Sequence, residues 1–152
     1  MTLATDQGKV TFIRGLHNLQ PHHQRSVVTI GSFDGVHLGH QAILQQVKTT
    51  AATLGLPSVV MTFEPQPQEY FSGEKAPARL MRLREKIDAL LEFGIDRVVC
   101  LQFNRRLRNL NASEFIHQVL VDGLAVKHLI VGDDFRFGFF FFKQKTAYEM
   151  RT

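Results

Sequence analysis

Short apolar runs bounded by turn residues alternate along the chain with stretches of helical periodicity. "SVVTIG" (Ser26–Gly31) is β-branched and closes on glycine, the pattern of a buried strand. From about His40, the positions Ile43, Leu44, Val47, Ala51 and Leu54 recur at helical spacing, and Gly55 with Pro57 predicts the stop. "SVVMTF" (Ser58–Phe63) predicts the next strand. Leu80, Leu83, Ile87, Leu90 and Leu91 predict a second helix closed by Gly94. "RVVCLQF" (Arg97–Phe103) is a third strand pattern. Asn111 followed by Glu114 reads as a capping box for a helix through about Val121, ended by Gly123. "KHLIVG" (Lys127–Gly132) is a fourth strand pattern.

The order is therefore β-α-β-α-β-α-β. Short buried strands separated by amphipathic helices predict an α/β fold with a Rossmann-like parallel sheet covered on both faces. Ligands of such sheets bind beyond the C-terminal ends of the strands, where the strand order reverses. Three polar, glycine- or proline-marked stretches fall there: "GSFDGVHLGH", "EPQPQEYF" and "GDDFRFG".

The totals narrow the class. A chain of 152 residues suits one domain with its own core, and 44% hydrophobic with 21% charged residues is the balance of a globular protein. No apolar run approaches the length of a membrane helix, and the first residues lack a secretory signal pattern. Cys100 is the only cysteine and sits in an apolar run, so no internal disulfide is possible; a cytoplasmic setting is expected. Half of the net charge of +4 lies after Gly138, where Lys143, Lys145 and Arg151 face only Glu149. The balance gives no reason to expect nucleic acid or membrane as partner, and small-molecule substrates are expected instead.

"GSFDGVHLGH" carries the chemistry. Gly31 and Gly35 permit close backbone approach to a ligand, and Asp34 suits a turn cap. Gly39 removes a side chain at the start of a helix, whose free N–H groups attract phosphate. His37 and His40 lie three apart and can point the same way, offering N–H donors to developing negative charge. His-x-x-His alone also fits a metal pair or two surface histidines. Two ligands make no metal site by themselves, and no metal ligand is assigned.

The ordered motifs then become specific. "GSFDGVHLGH" resembles the signature of cytidylyltransferase-like nucleotidyltransferases. Together with "FEPQP" (Phe63–Pro67), "ARLMRLREK" (Ala78–Lys86), "VGDDFRFG" (Val131–Gly138) and "IRGLHNL" (Ile13–Leu19), it resembles the N-terminal adenylyltransferase domain of bacterial bifunctional riboflavin kinase/FAD synthetases. The resemblance covers about residues 12–138. It implies transfer of AMP from ATP to FMN, giving FAD and pyrophosphate, with Mg²⁺. It implies that His37 and His40 are catalytic, holding the triphosphate and stabilising its charge. It further implies that Phe33, Asp34, Gly35, Gly39, Gly132 and Asp134 form the ATP site. Pro65, Pro67, Arg79 and Phe137 are implied on the flavin side. Arg82, Arg84 and Lys86 read as a solvated helix face, and Arg105, Arg106 and Arg108 as solvated loop charges. Gln66 stands where the family more often has histidine, which removes a titrating group from that loop.

The resemblance stops at Gly138. Residues 139–152, "FFFFKQKTAYEMRT", fit neither an amphipathic helix nor a surface loop and read as an aberrant tail outside the fold. The domain is thus expected to be incomplete at its C-terminus, without the riboflavin kinase domain of the full-length family. A fragment with little activity is one consequence. A non-catalytic nucleotide- or flavin-binding remnant, or another nucleotidyltransferase of the same superfamily, stays open beside it.

Overall fold

The computed structural model describes residues 5–6, 9–10, 12–33, 38–65, 82–132, 136–137, 140–141 and 147–149, with side chains described for 12–33, 40–65 and 82–132. Thr5–Asp6 (β1) and Lys9–Val10 (β2) form a short antiparallel pair. The main sheet is built from Phe12–Arg14 (β3), Val27–Ile30 (β4), Ser58–Glu64 (β5), Arg97–Gln102 (β6) and His128–Ile130 (β7). These five run parallel in the order β7-β4-β5-β6-β3. Arg136–Phe137 (β8) and Phe140–Phe141 (β9) pair with each other. Ala147–Glu149 (β10) adds antiparallel to the free edge of β7.

The four expected strands are present, each within two residues of its predicted bounds. The parallel α/β sheet is thereby observed. β3 is an addition, because three residues are too few to show a strand period. The stretch 139–152, set apart by its composition, contributes β10 to the sheet, so backbone pairing there does not follow the break in sequence character at Gly138.

Alternation along the strands divides the core into two layers. Val28, Ile30, Val59, Met61, Phe63, Val99, Leu101 and Leu129 face one side, against Phe115, Val119, Leu120 and Leu124. Val27, Val60, Val98, Cys100 and Ile130 face the other, against Leu44, Val47, Ile87 and Leu90. The second layer is covered by Leu38–Leu54 (α1) and Leu83–Phe93 (α2). Gly94, at φ 111°, ends α2 in the left-handed conformation that glycine accepts without strain.

A single turn, Arg105–Arg108 (α3), is capped by Asn104, whose Oδ1 accepts from Leu107 N–H at 3.0 Å. Ala112–Phe115 (α4) opens with the expected capping box: Asn111 Oδ1 accepts from Glu114 N–H at 2.8 Å, and Asn111 N–H donates to Glu114 Oε1 at 3.0 Å. The segment then widens into a π-helical turn over Ile116–Gly123, in place of the continuous α-helix that the capping box predicts. There Leu124 N–H reaches back five residues to Val119 O at 3.0 Å.

Candidate functional site

The chain steps outward from β4 to β5 to β6, then returns to place β7 on the other side of β4. The strand order therefore reverses between β4 and β7. Their C-terminal ends lie side by side, since Thr29 is registered with Ile130. The loop after β4 starts at Gly31 and the loop after β7 passes through Gly132, so two of the three suspicious stretches flank the crevice where such sheets bind ligands. Pro65, which follows β5, lies one strand further along the same edge.

Gly31 N–H donates to Met61 O at 3.1 Å, extending the β4–β5 pairing beyond the strand. A Cβ on Gly31 would stand 2.9 Å from the Phe33 ring, so glycine here makes room for that ring. Phe33 has φ 51°, is 3% exposed, and plugs the α1–α2 layer of the core. Its ring meets the His40 imidazole edge-on, with centroids 5.0 Å apart. Phe33 is thus an anchor: it ties the loop to the core and sets His40, half-buried in the first turn of α1. Gly39 belongs to that same turn. The start of α1 and His40 lie together beyond the C-terminal end of β4, where a helix N-terminus can receive an anionic group.

Asp34, Gly35, His37, Pro67, Arg79 and Asp134 lie outside the described residues. Phe137 is in β8, and its side chain also lies outside them. Among the twelve expected site residues, Phe33, Gly39, His40, Pro65 and Gly132 are therefore placed, and all five stand at the C-terminal edge of the sheet.

A cavity of about 480 Å³ opens along that edge, lined by Arg14, Gly15, His17, Glu64, Pro65, Cys100 and Gln102. It borders a second of about 420 Å³, sharing Gly15, His17 and Gln102 and adding Arg106 and Asn104. Sequence reasoning did not assign Arg14, His17 or Gln102. The signal that pointed to them was β3 itself: Arg14 is registered with Cys100 and ends its strand at the same edge as Gln102.

One cation differs from expectation. Lys86 is fully buried, whereas Arg82 and Arg84 are exposed as a solvated face requires. Its position explains this: three residues after Leu83 and four before Leu90, it falls within the apolar stripe of α2. Arg105, Arg106 and Arg108 are exposed as expected, but on a helical turn.

Among the described residues no group of three His, Cys, Asp or Glu side chains could hold a metal ion, and no helix is long and apolar enough to cross a membrane. A parallel sheet whose order reverses between β4 and β7, with helices on its faces, defines a Rossmann-like α/β domain. The comparisons then fix the family. The FAD synthetase family model matches residues 19–150. The chain belongs to the FAD synthetase family.

Over 126 residues it is 60% identical to the bifunctional riboflavin kinase/FMN adenylyltransferase of Pseudomonas fluorescens, covering 83% of this chain and 40% of that protein. It is 55% identical over 127 residues to the protein of the same description from Escherichia coli K12, covering 83% and 41%. The chain thus spans about 40% of the length of these curated relatives. Among solved structures it is similar to a macrolide-efflux protein from Streptococcus pneumoniae, with TM-score 0.73 and 27% identity over 85% of this chain and 43% of that one.

Proposed function

We propose that this domain is an FMN adenylyltransferase, moving AMP from ATP to FMN to give FAD and pyrophosphate. The observation that carries the reading is the corner above β4, where Phe33, Gly39 and His40 meet the start of α1 at the β4/β7 switch point. The triphosphate sits there. An oxygen of the FMN phosphate attacks the α-phosphorus in line, a P–O bond forms, the bond to the β-phosphate oxygen breaks, and pyrophosphate leaves. No covalent enzyme intermediate is needed, so the protein's task is positioning and charge stabilisation.

In this reading His40, joined by His37, and the helix N–H groups hold the phosphates and stabilise the charge that develops on them. Asp34, Gly35, Gly132 and Asp134 complete the nucleotide side. FMN approaches from the β5 side, with Pro65 and Pro67 as one wall and Arg79 and Phe137 as further contacts; the cavity of about 480 Å³ beside Pro65 is large enough to take part of a flavin. Mg²⁺ would accompany ATP on its phosphates and supply charge neutralisation there. A cytoplasmic enzyme with small-molecule partners, bound to a riboflavin kinase domain in a longer chain, fits the bifunctional description of the relatives. The efflux role named for the pneumococcal protein is not carried over, because the relatives at 55–60% identity describe a different activity.

The test is incubation with FMN, ATP and Mg²⁺, with FAD followed by chromatography. FAD formation lowered about a hundredfold or more in His37→Ala and in His40→Ala supports the reading. ATP or FMN binding without turnover favours a binding remnant, and turnover with another phosphate acceptor but none with FMN overturns the flavin assignment.

A further inference from the structure

The cavity of about 480 Å³ at the C-terminal edge is lined by polar side chains to which the proposed reaction gives no role. Arg14 ends β3 and is registered with Cys100 of β6. Gly15 N–H donates to Cys100 O at 2.8 Å and fixes the end of β3 there. Gln102 lies two residues beyond Cys100 and is registered with Glu64 of β5. By alternation from Phe12, Val60 and Cys100, the side chains of Arg14, Glu64 and Gln102 stand on the sheet face of α1 and α2. One cavity takes in all three, across three neighbouring strands. Arg14 and Gln102 are exposed, and neither side chain has a hydrogen-bond or ion-pair partner among the described residues.

Strand spacing sets the scale. The sheet order puts the end of β6 two spacings from the end of β4, roughly 10 Å, and the end of β3 a further spacing on, at roughly 14 Å. With the FMN phosphate at the start of α1 beyond β4, the extended ribityl chain carries the flavin ring a comparable length across β5 and into this cavity. A flavin ring has a polar pyrimidine edge and an apolar dimethylbenzene edge. The polar lining suits the first, which presents a carbonyl, an N–H and a second carbonyl in a row.

We propose that Gln102, with Arg14 beside it, recognises that pyrimidine edge and makes the site specific for a flavin whose N3 carries a proton. A primary amide is both donor and acceptor, so Gln102 Oε1 accepts from the flavin N3–H while Nε2 donates to the neighbouring O4. The Arg14 guanidinium, on the next strand, donates to O2. Glu64, on the other side of Gln102, offers only acceptors when ionised and serves neither carbonyl. This role rests on the reading of the domain as an FMN adenylyltransferase and adds to it the contact that selects the ring.

The test compares FMN with N3-methyl-FMN, whose methyl group replaces the proton that Gln102 is to accept. Binding to the 152-residue chain is read from quenching of flavin fluorescence, so it does not depend on turnover. The wild-type chain should bind N3-methyl-FMN roughly tenfold or more weakly than FMN, as loss of a hydrogen bond with its partner left unpaired requires. Gln102→Leu should weaken FMN by a similar factor and bind the two flavins alike. Arg14→Gln should weaken FMN severalfold and still discriminate against the methyl group. ATP affinity should be unchanged in both variants. Equal binding of the two flavins by the wild-type chain overturns the role of Gln102, and this arm needs no variant to fold. So does discrimination that survives in Gln102→Leu. Either result leaves FMN binding and FAD formation standing, whereas a chain that binds ATP and neither flavin overturns the adenylyltransferase reading and this role together.

Discussion

At the N-terminal edge of the sheet, Asp96 and Ser58 clamp the starts of β5 and β6 with reciprocal bonds, Asp96 N–H returning to Ser58 Oγ at 2.9 Å. Lys48 Nζ reaches across from α1 to Phe93 O at 2.9 Å and lies 5.2 Å from the Phe93 ring. Turns there are short: Gly55–Pro57 and Gly94–Asp96 connect helix to strand directly. At the C-terminal edge the strands instead run out into Gly31, Pro65, Phe103 and Gly132, and two cavities open among them. One edge fastens the layers together; the other leaves backbone and side chains free to meet a ligand. Substitutions at the two edges should therefore separate stability from catalysis.

The largest separation is expected at His40. His40→Ala should lower kcat for FAD formation about 10²–10³-fold, the loss typical of one charge-stabilising donor, while leaving the thermal midpoint nearly unchanged. A fall in midpoint large enough to account for the lost activity would make His40 a structural residue. Phe33→Ala removes a 3%-exposed aromatic ring and should cost about 3–5 kcal/mol in denaturant unfolding. Because the same ring braces His40, its residual folded fraction should also turn over slowly. At the other edge, Asp96→Ala should cost about 1–3 kcal/mol by leaving Ser58 without its acceptor, with kcat and KM for ATP unaltered.

A smaller effect concerns His23. Its folded pKa lies below the ordinary 6.5, so the unfolded chain binds the extra proton first. The stability this gives is fully present above pH 6.5 and is lost as pH falls below it. Thermal midpoints should drop on acidification, and His23→Gln should flatten part of that slope. An unchanged slope would place the pH dependence on other histidines. Least of all, Asn111→Ala should cost about 1 kcal/mol by removing the helix cap, with no effect on turnover.

Much of this contrast was legible in the residues. Runs such as "SVVMTF" and "RVVCLQF" are β-branched and too short for helices, so strand type and order followed directly. Their parallel order then forced the glycine- and proline-marked stretches to one edge. Residues whose placement depends on tertiary packing were not legible. β3 has three residues and takes its identity from pairing with Val98–Cys100. Lys86 reads as polar surface until α2 is docked and its stripe faces inward. The cavity beside Pro65 needs Arg14 and Gln102 from strands far apart in sequence. The π-helical turn after Phe115 has no signature in periodicity, which treats Ile116–Gly123 as ordinary helix.

Hydrogen–deuterium exchange with and without saturating MgATP tests the central claim, that nucleotide binds where the strand order reverses. The account predicts slowed exchange in segments spanning residues 27–44 and 128–137, with residues 95–98 at the opposite edge unchanged. Protection confined to the N-terminal edge, or none in the β4 and β7 loops while ATP is demonstrably bound, would contradict it.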